Sequence, residues 1–304
     1  MSRVTRVCLD IQSSINLSLM TVRSGFSISE LENWSTSVLM EEVFSSYDSQ
    51  ALLCFCLGKN SAYLLAHSDD IVDKKTELRF RGLVNQRLSG YPVAYLTGSR
   101  EFWSLPVIVN QNVLIPRPDT ELLVEEVLKK MPGHCLPKVL ELGTGSGAIS
   151  LALATERPES IILASDFSVK AVDVARENQA NLGIRNISWV VSDWFCSIET
   201  QHFDIICSNP PYIASDDPHL SCGDLRSEPI SALVSGKDGL DDLKRIIQQS
   251  PEYLVPGGSL LVEHGYRQGE SVRQIFQSTG YLGVQTVKDL SDNDRVTVGD
   301  KPLT

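Results

Sequence analysis

Asn209, Pro210, Pro211 and Tyr212 directly follow the apolar run FDIICS. Two consecutive prolines have no N–H to donate and fixed φ angles, so the chain is stiff there. A stiff turn at the end of a strand can hold the Asn209 amide oxygen and the Pro210 carbonyl as convergent acceptors. Together they can bind the two hydrogens of a planar –NH₂ group, while Tyr212 offers a face for that plane to stack on. Such a nitrogen is a poor nucleophile because its lone pair is delocalised. Fixed acceptors favour localisation of the lone pair and tighten as positive charge develops. A cationic sulfonium donor makes a strong base unnecessary, and in-line positioning supplies on the order of 7–11 kcal/mol. The catalytic candidates are therefore Asn209, Pro210 and Tyr212, with Pro211 completing the acceptor site.

A second group of residues suits a nucleotide-like cofactor. Gly143, Thr144, Gly145, Ser146 and Gly147 lie between a short apolar strand, KVLEL, and a helical stretch. Glycines allow a tight turn and a close ligand approach, and the helix start presents unpaired N–H groups. Asp166, 23 positions after Gly143, ends the next strand and can accept hydrogen bonds from both ribose hydroxyls of an adenosine. It can equally cap the helix that begins near Ser168. Asp193 and Trp194 end a third strand, where an acceptor and a flat aromatic can receive the adenine amino group and cover its ring. A tryptophan at that place can also be plain core. Asn209 is expected to touch the cofactor as well as the acceptor. The glycines and Asp166 alone also satisfy a dinucleotide fingerprint, so they do not choose between cofactors.

The surrounding elements explain why these residues meet. Beyond residue 137, strands (KVLEL, IILASD, ISWVVSD, FDIICSN, GSLLVEHG) alternate with helices of 10–15 residues, and VQTVKDLSDNDRVTVG reads as a terminal hairpin. This predicts a doubly wound α/β domain with a mostly parallel sheet, whose ligands bind at the carboxyl ends of the strands. TELLVEEVLKK reads as an amphipathic helix with Asp119 or Thr120 as its N-cap. Residues 87–116, with the strand-like PVAYLTG, LPVIVN and VLIP among glycines and prolines, suggest a linking β-hairpin. Residues 1–86 show helical spacing in ELENWSTSVLMEEVF, SQALLCFCLG (closed by Gly58) and ELRFRGLVNQRL. The expected domains are a helical domain over 1–86, a hairpin over 87–116 and a catalytic domain over 117–304.

Composition narrows the partners. The net charge is −11, and residues 1–86 contribute only −2 of it. The catalytic half is thus strongly acidic, which opposes a phosphate backbone as substrate. The seven cysteines are odd in number and scattered, and the histidines have no metal-ligand spacing, so reduced thiols and no metal are expected. No apolar run is long enough for a membrane span, and the N-terminus lacks a cleavable signal, which points to a cytoplasmic protein.

Several further stretches make the sequence recognisable: Pro92–Gly98 (PVAYLTG), Arg100–Trp103 (REFW), Ile115–Glu121 (IPRPDTE), Leu142–Gly147, Asp193–Phe195, Ser208–Ile213, Asp217–Leu220, Glu263–Gly265 and Arg295–Thr297. With them the chain resembles the release-factor glutamine methyltransferases of the HemK/PrmC type over nearly its whole length. That resemblance implies a class I, Rossmann-like methyltransferase domain with a seven-stranded sheet behind a small helical domain and a hairpin, and the helical domain is expected to be the docking surface for the protein partner. It implies S-adenosylmethionine as donor, S-adenosylhomocysteine as product, and as acceptor the glutamine of the Gly-Gly-Gln loop in class I peptide-chain release factors. By position it assigns Gly143 to Gly147, Asp166 and Trp194 to the cofactor, Asn209 to Tyr212 to the glutamine, and Phe102 and Arg117 to the pocket wall. Glu141 departs from the aspartate commoner in these enzymes.

Three other readings share part of this pattern. An adenine-N6 methyltransferase needs the same acceptor turn, but must flip a base and grip phosphates, and residues 209–228 hold Arg226 as their one Lys or Arg. A nicotinamide-dependent oxidoreductase uses the glycines and Asp166 but leaves Asn209–Tyr212 idle. A non-enzymatic binding module predicts that Asn209 is dispensable.

Overall fold

The computed structural model describes residues 25–41, 44–131, 136–199 and 201–304, in two compact units divided between Leu88 and Ser89. The readings of the N-terminal segment, of Cys8 and Cys135, and of Glu42 and Val43 in the first helical stretch lie outside the described residues.

The first unit contains helices α1 (Ile28–Glu41), α2 (Ser46–Leu57), α3 (Ser61–Ala66) and α4 (Lys74–Leu88). Their apolar stripes bury Leu31, Leu39, Leu52, Leu53, Phe80 and Val84. Ser45 caps α2, and Gly58 ends it at φ 64°, the left-handed conformation that glycine adopts without strain. The short α3 has too few residues to show a period. It is recognisable only by its Asn60 cap, whose side chain accepts from Tyr63 N.

The second unit begins with α5 (Val93–Thr97) and the hairpin of β1 (Ser99–Phe102) and β2 (Leu105–Ile108). Here the sequence reading needs correction. PVAYLTG forms a helix, because Pro92 sits at its N-cap and Gly98 closes it at φ 78°. VLIP makes no ladder and runs as an irregular segment. The hairpin turns on Trp103 and Ser104, both at positive φ, which matches the twist of its strands without a glycine.

There follow α6 (Glu121–Lys130), β3 (Lys138–Leu142), α7 (Ala148–Glu156), β4 (Ile161–Asp166), α8 (Val169–Leu182), β5 (Ile187–Val191), β6 (Phe203–Ser208), α9 (Asp241–Gln249), β7 (Leu254–Glu263), α10 (Gly269–Thr279), β8 (Leu282–Lys288) and β9 (Asp294–Asp300). The sheet runs β5-β4-β3-β6-β7-β9-β8, parallel from β5 through β7 and antiparallel at β9 and β8. This is the expected class I methyltransferase architecture. Strand alternation divides the core. Val139 of β3 joins the cluster under α6, α7 and α8, whereas Leu140 and Leu142 join the one under α9 and α10. The chain leaves β3 toward β4 and β5, then returns to β6 on the other side of β3. The carboxyl ends of β3 and β6 therefore flank a topological switch point, where open α/β sheets bind ligands. Among the described residues, no helix is long and apolar enough to cross a membrane.

Candidate active site

The glycine turn emerges from β3 with Gly143, Gly145 and Gly147 at φ 71°, 56° and 84°. Only glycine adopts such angles routinely. A Cβ on Gly147 would press on Trp189 and Ala175, so this residue also lets α7 and α8 approach. Asp166, 8% exposed, closes β4 and locks the turn: Oδ2 accepts from Gly145 N at 2.9 Å, and Oδ1 accepts from Ser168 N at 2.9 Å. Ser168 itself caps α8, its hydroxyl accepting from Ala171 N. Each carboxylate oxygen keeps a further lone pair for a ligand hydroxyl. Burial raises the Asp166 pKa, opposed by the Ser168 and Gly145 N–H bonds.

Glu141, fully buried on β3, supports the same turn. Its Oε2 accepts from Thr144 Oγ1 at 2.7 Å, from Ser150 N at 3.1 Å and from the Ser150 hydroxyl. Its Oε1 has no hydrogen-bond partner, although the residue borders the cavity beside Gly145, Ser146 and Asn209. Burial pushes its pKa up to about 7 against those hydrogen bonds.

Trp194 holds φ at 49°, a strained value for a bulky residue. Its indole N–H donates to Asp242 Oδ1 at 3.0 Å, and its ring lies beside Gly143. Asp193, largely exposed, pairs with Arg245 at 2.8 Å on the same wall.

The acceptor turn leaves β6 at Asn209. The Asn209 Nδ2 donates to Thr120 Oγ1 at 3.1 Å. Thr120 makes no side-chain cap to α6, so the expected capping role is replaced by this one. Tyr212 Oη donates to Glu263 Oε1 at 3.2 Å, and its carbonyl accepts from Gln268 Nε2 at 3.0 Å. Glu263 is fully buried at the end of β7, and burial pushes its pKa up to about 7. Arg117 pairs with Glu228, which also accepts from Ile115 N at 3.1 Å. This ties the segment ahead of α6 to the loop after Tyr212.

These residues share one cleft. A cavity of about 230 Å³ is bordered by Gly143, Gly145, Asp166, Trp194, Asn209 and Pro211. A neighbouring one of about 160 Å³ touches Asp193 and Trp194. A small third pocket of about 60 Å³ joins Arg117, Asn209, Pro210 and Tyr212. Phe102 does not join them. It is 1% exposed in the core with Val107 and Val109, because its place on the short β1 turns it inward. Sequence reading attached no role to Glu263, Asp242, Arg245 or Gln268. A carboxylate ending the apolar run GSLLVE was a usable signal for the first, since a charge there must have a partner. Among the described residues, no three His, Cys, Asp or Glu side chains group as metal ligands.

The cleft fits an adenosyl amino acid. Asp166 offers acceptors, Trp194 a flat wall, and Glu141 an unpartnered buried oxygen where an ammonium group can be matched.

Comparison with known proteins agrees. Residues 117–223 match the family described as Methyltransferase small domain, and residues 30–98 match the PrmC N-terminal domain. A release factor glutamine methyltransferase of Salmonella typhimurium is 47% identical over 252 residues, spanning 83% of this chain and 91% of the relative. That of Escherichia coli is 45% identical over 273 residues, spanning 89% and 98%. Among solved structures, the hMettl16 catalytic domain, in complex with the MAT2A 3′UTR hairpin 6, superposes with a TM-score of 0.53. It is 16% identical and covers 79% of this chain and 86% of that one, a likeness of fold alone.

Proposed function

The chain belongs to the release factor glutamine methyltransferase family, and from that premise we propose how its cleft works and on what. It is a protein-glutamine N5 methyltransferase. The donor is S-adenosylmethionine, and the acceptor is the glutamine of the Gly-Gly-Gln loop of class I peptide-chain release factors. The observation that carries this reading is the juxtaposition of the Asn209–Tyr212 turn with the glycine turn and Asp166 around one cleft.

In this reading Asp166 receives the ribose hydroxyls, Trp194 covers the adenine, and Gly143 to Gly147 let the cofactor approach the backbone. Asp193, already paired with Arg245, stands at the outer edge of that wall. S-adenosylmethionine, when bound, supplies a methyl group made electrophilic by a sulfonium. The Asn209 Oδ1 and the Pro210 carbonyl accept the two amide hydrogens of the glutamine, and Tyr212 stacks on its plane with Pro211 bracing the turn. Those acceptors draw electron density onto the nitrogen and stabilise the charge it gains. The bound donor would supply the methyl, and the Asn209 and Pro210 acceptors would hold the amide nitrogen in line with it, leaving the surplus proton to pass to water. Arg117, bound to Glu228, forms the rim of the acceptor pocket.

Transfer of labelled methyl from S-adenosylmethionine tests this on three acceptors: an intact class I release factor, the same factor with the loop glutamine replaced, and duplex DNA. Label is expected on the intact factor alone. Label on DNA would replace the reading with adenine methylation, and label on the glutamine-less factor would move the acceptor elsewhere in the protein.

A further inference from the structure

The end of β7 and the turn that follows it hold Tyr212 from both ends. The Tyr212 hydroxyl donates to Glu263 Oε1 at 3.2 Å, and the Tyr212 carbonyl accepts from Gln268 Nε2 at 3.0 Å. The ring between them lies beside Gly265, where a Cβ would stand 3.7 Å from Tyr212 Cδ2. Gln268 Nε2 also lies 3.3 Å from the carbonyls of Asp238 and Gly239, in the loop ahead of α9. The acceptor turn, the loop ahead of α9 and the turn after β7 therefore meet at one amide.

The sense of that amide follows from its other end. The Gly265 N–H can only donate, and it gives its hydrogen to Gln268 Oε1 at 2.8 Å. The Gln268 N–H donates in return to the Gly265 carbonyl at 2.8 Å, which closes the turn on itself. Oε1 is thus engaged, and Nε2 faces the three carbonyls, which can only accept. Capping does not account for this side chain. Gln268 stands at the N-cap of α10, where a side-chain oxygen ordinarily accepts from the first N–H groups of the helix, yet it makes no such bond. It reaches back to Tyr212 instead. On either side of the Tyr212 carbonyl the chain is held by the two prolines and by Ile213, whose N–H donates to the Leu233 carbonyl at 2.9 Å. Gln268 completes the hold between them. We infer that Gln268 is a positioning residue of the acceptor site: it fixes the Tyr212 carbonyl, and with it the place of the ring on which the substrate amide stacks. The inference rests on the reading of Asn209–Tyr212 as the turn that holds the glutamine.

Two substitutions separate the donor from the bulk of the side chain. Gln268→Glu keeps the shape and the acceptor for Gly265, but turns a second oxygen toward three carbonyl oxygens, and the repulsion pushes the Tyr212 backbone away. Gln268→Met keeps a similar length and removes both bonds, which takes this donor from the Tyr212 carbonyl. Either change displaces the ring while Asp166 and Trp194 keep their own partners, so the loss should fall on turnover rather than on cofactor affinity. Gly239→Ala presses on the same carbonyl, since its Cβ would come within 2.2 Å of the oxygen. The two routes converge on one atom.

The experiment measures kcat and KM with an intact class I release factor, and the Kd of S-adenosylmethionine, all counted per cofactor-binding site. The variants are Gln268→Glu, Gln268→Met, Gly239→Ala, Gln268→Met combined with Gly239→Ala, and Asn209→Ala. Both Gln268 variants should lower kcat about 10²-fold, the cost of a shift of about 1 Å at a reacting centre, with KM and the cofactor Kd unchanged. The double variant should be no worse than the poorer single one, because both changes disturb one carbonyl. A role in stability alone would lower the melting temperature and leave kcat per site as it was, and that result overturns the inference. So do losses that multiply in the double variant, or a cofactor Kd that worsens in step with kcat. In each of those cases an impaired Asn209→Ala leaves the acceptor reading intact, whereas wild-type turnover in Asn209→Ala would remove both. If one Gln268 variant does not fold, the other decides: an unchanged kcat there overturns the positioning role.

Discussion

The backbone N–H of Gly145 donates to Asp166 Oδ2 at 2.9 Å, joining the turn after β3 to the end of β4. The carboxylate that is proposed to read the ribose is thus also the clamp that shapes the glycine turn. Replacing Asp166 by Ala removes both functions. Loss of hydrogen bonds to a charged group costs about 1.5–3 kcal/mol, so the Kd for S-adenosylmethionine should rise about 10–100-fold. Calorimetric titration of the variant checks this. An unchanged Kd would take the ribose role from Asp166.

Asn209→Ala should separate binding from chemistry. The side chain offers one fixed acceptor to a nitrogen that gains charge only in the transition state. Losing such a partner costs about 10²–10³-fold in kcat, while the cofactor's contacts with Asp166 and Trp194 are untouched. Single-turnover rates with saturating release factor, read beside the cofactor Kd, test it. A parallel loss of both would mean that Asn209 serves the cofactor rather than the acceptor.

The place of both residues at the cleft was legible in the sequence, and physics explains why. Asp166 and Asn209 each end an apolar strand of a parallel sheet, and strand ends are where such sheets place their ligand groups. The short elements were not legible. α5 carries the β-prone residues Val93, Tyr95 and Thr97, yet Pro92 and Gly98 bracket it into one helical turn. Phe102 matched a family stretch, but matching could not say whether it faces the cleft or the core. Burial on β1 chose the core. Thr120 lay at a helix start, where a cap is the ordinary expectation. Its real partner, Asn209, is 89 residues away in sequence, and only the return of β6 beside β3 brings them together.

Glu141 should leave a signature in stability. Burial raises its folded pKa from the ordinary 4.5 to about 7. Between those values the folded protein keeps a proton that the unfolded chain has released, so raising the pH favours unfolding. The contribution is complete below pH 4.5, is lost as pH rises to 7, and is level above it. One such group gives a slope of about 1.4 kcal/mol per pH unit. Glu141→Gln should flatten the slope of stability against pH by that amount, with Glu263 still contributing its own share. Denaturant titrations of the cofactor-free protein at pH 5, 6 and 7 measure it. A slope equal to that of the wild type would mean that Glu141 is ionised across the whole window.

Gly239 should matter to turnover although it is not part of the acceptor turn. It sits at φ 74°, and a Cβ there would overlap the carbonyl oxygen of Tyr212 and crowd Gln268 Nε2. Gln268 Nε2 donates to that same carbonyl, so an added methyl must push the Tyr212 backbone or break this bond. Gly183 provides the control. It has φ 68° at the end of α8, and nothing lies within 4 Å of the position its Cβ would take. Alanine at either glycine meets the same left-handed strain, about 1–2 kcal/mol. Only Gly239→Ala also displaces a residue of the acceptor site, and a shift of about 1 Å there is enough for a 10²-fold loss of rate. Gly183→Ala should therefore lower the melting temperature and keep its kcat, whereas Gly239→Ala should lose both. Equal turnover in the two variants would show that the Tyr212 backbone yields to the methyl without moving the ring.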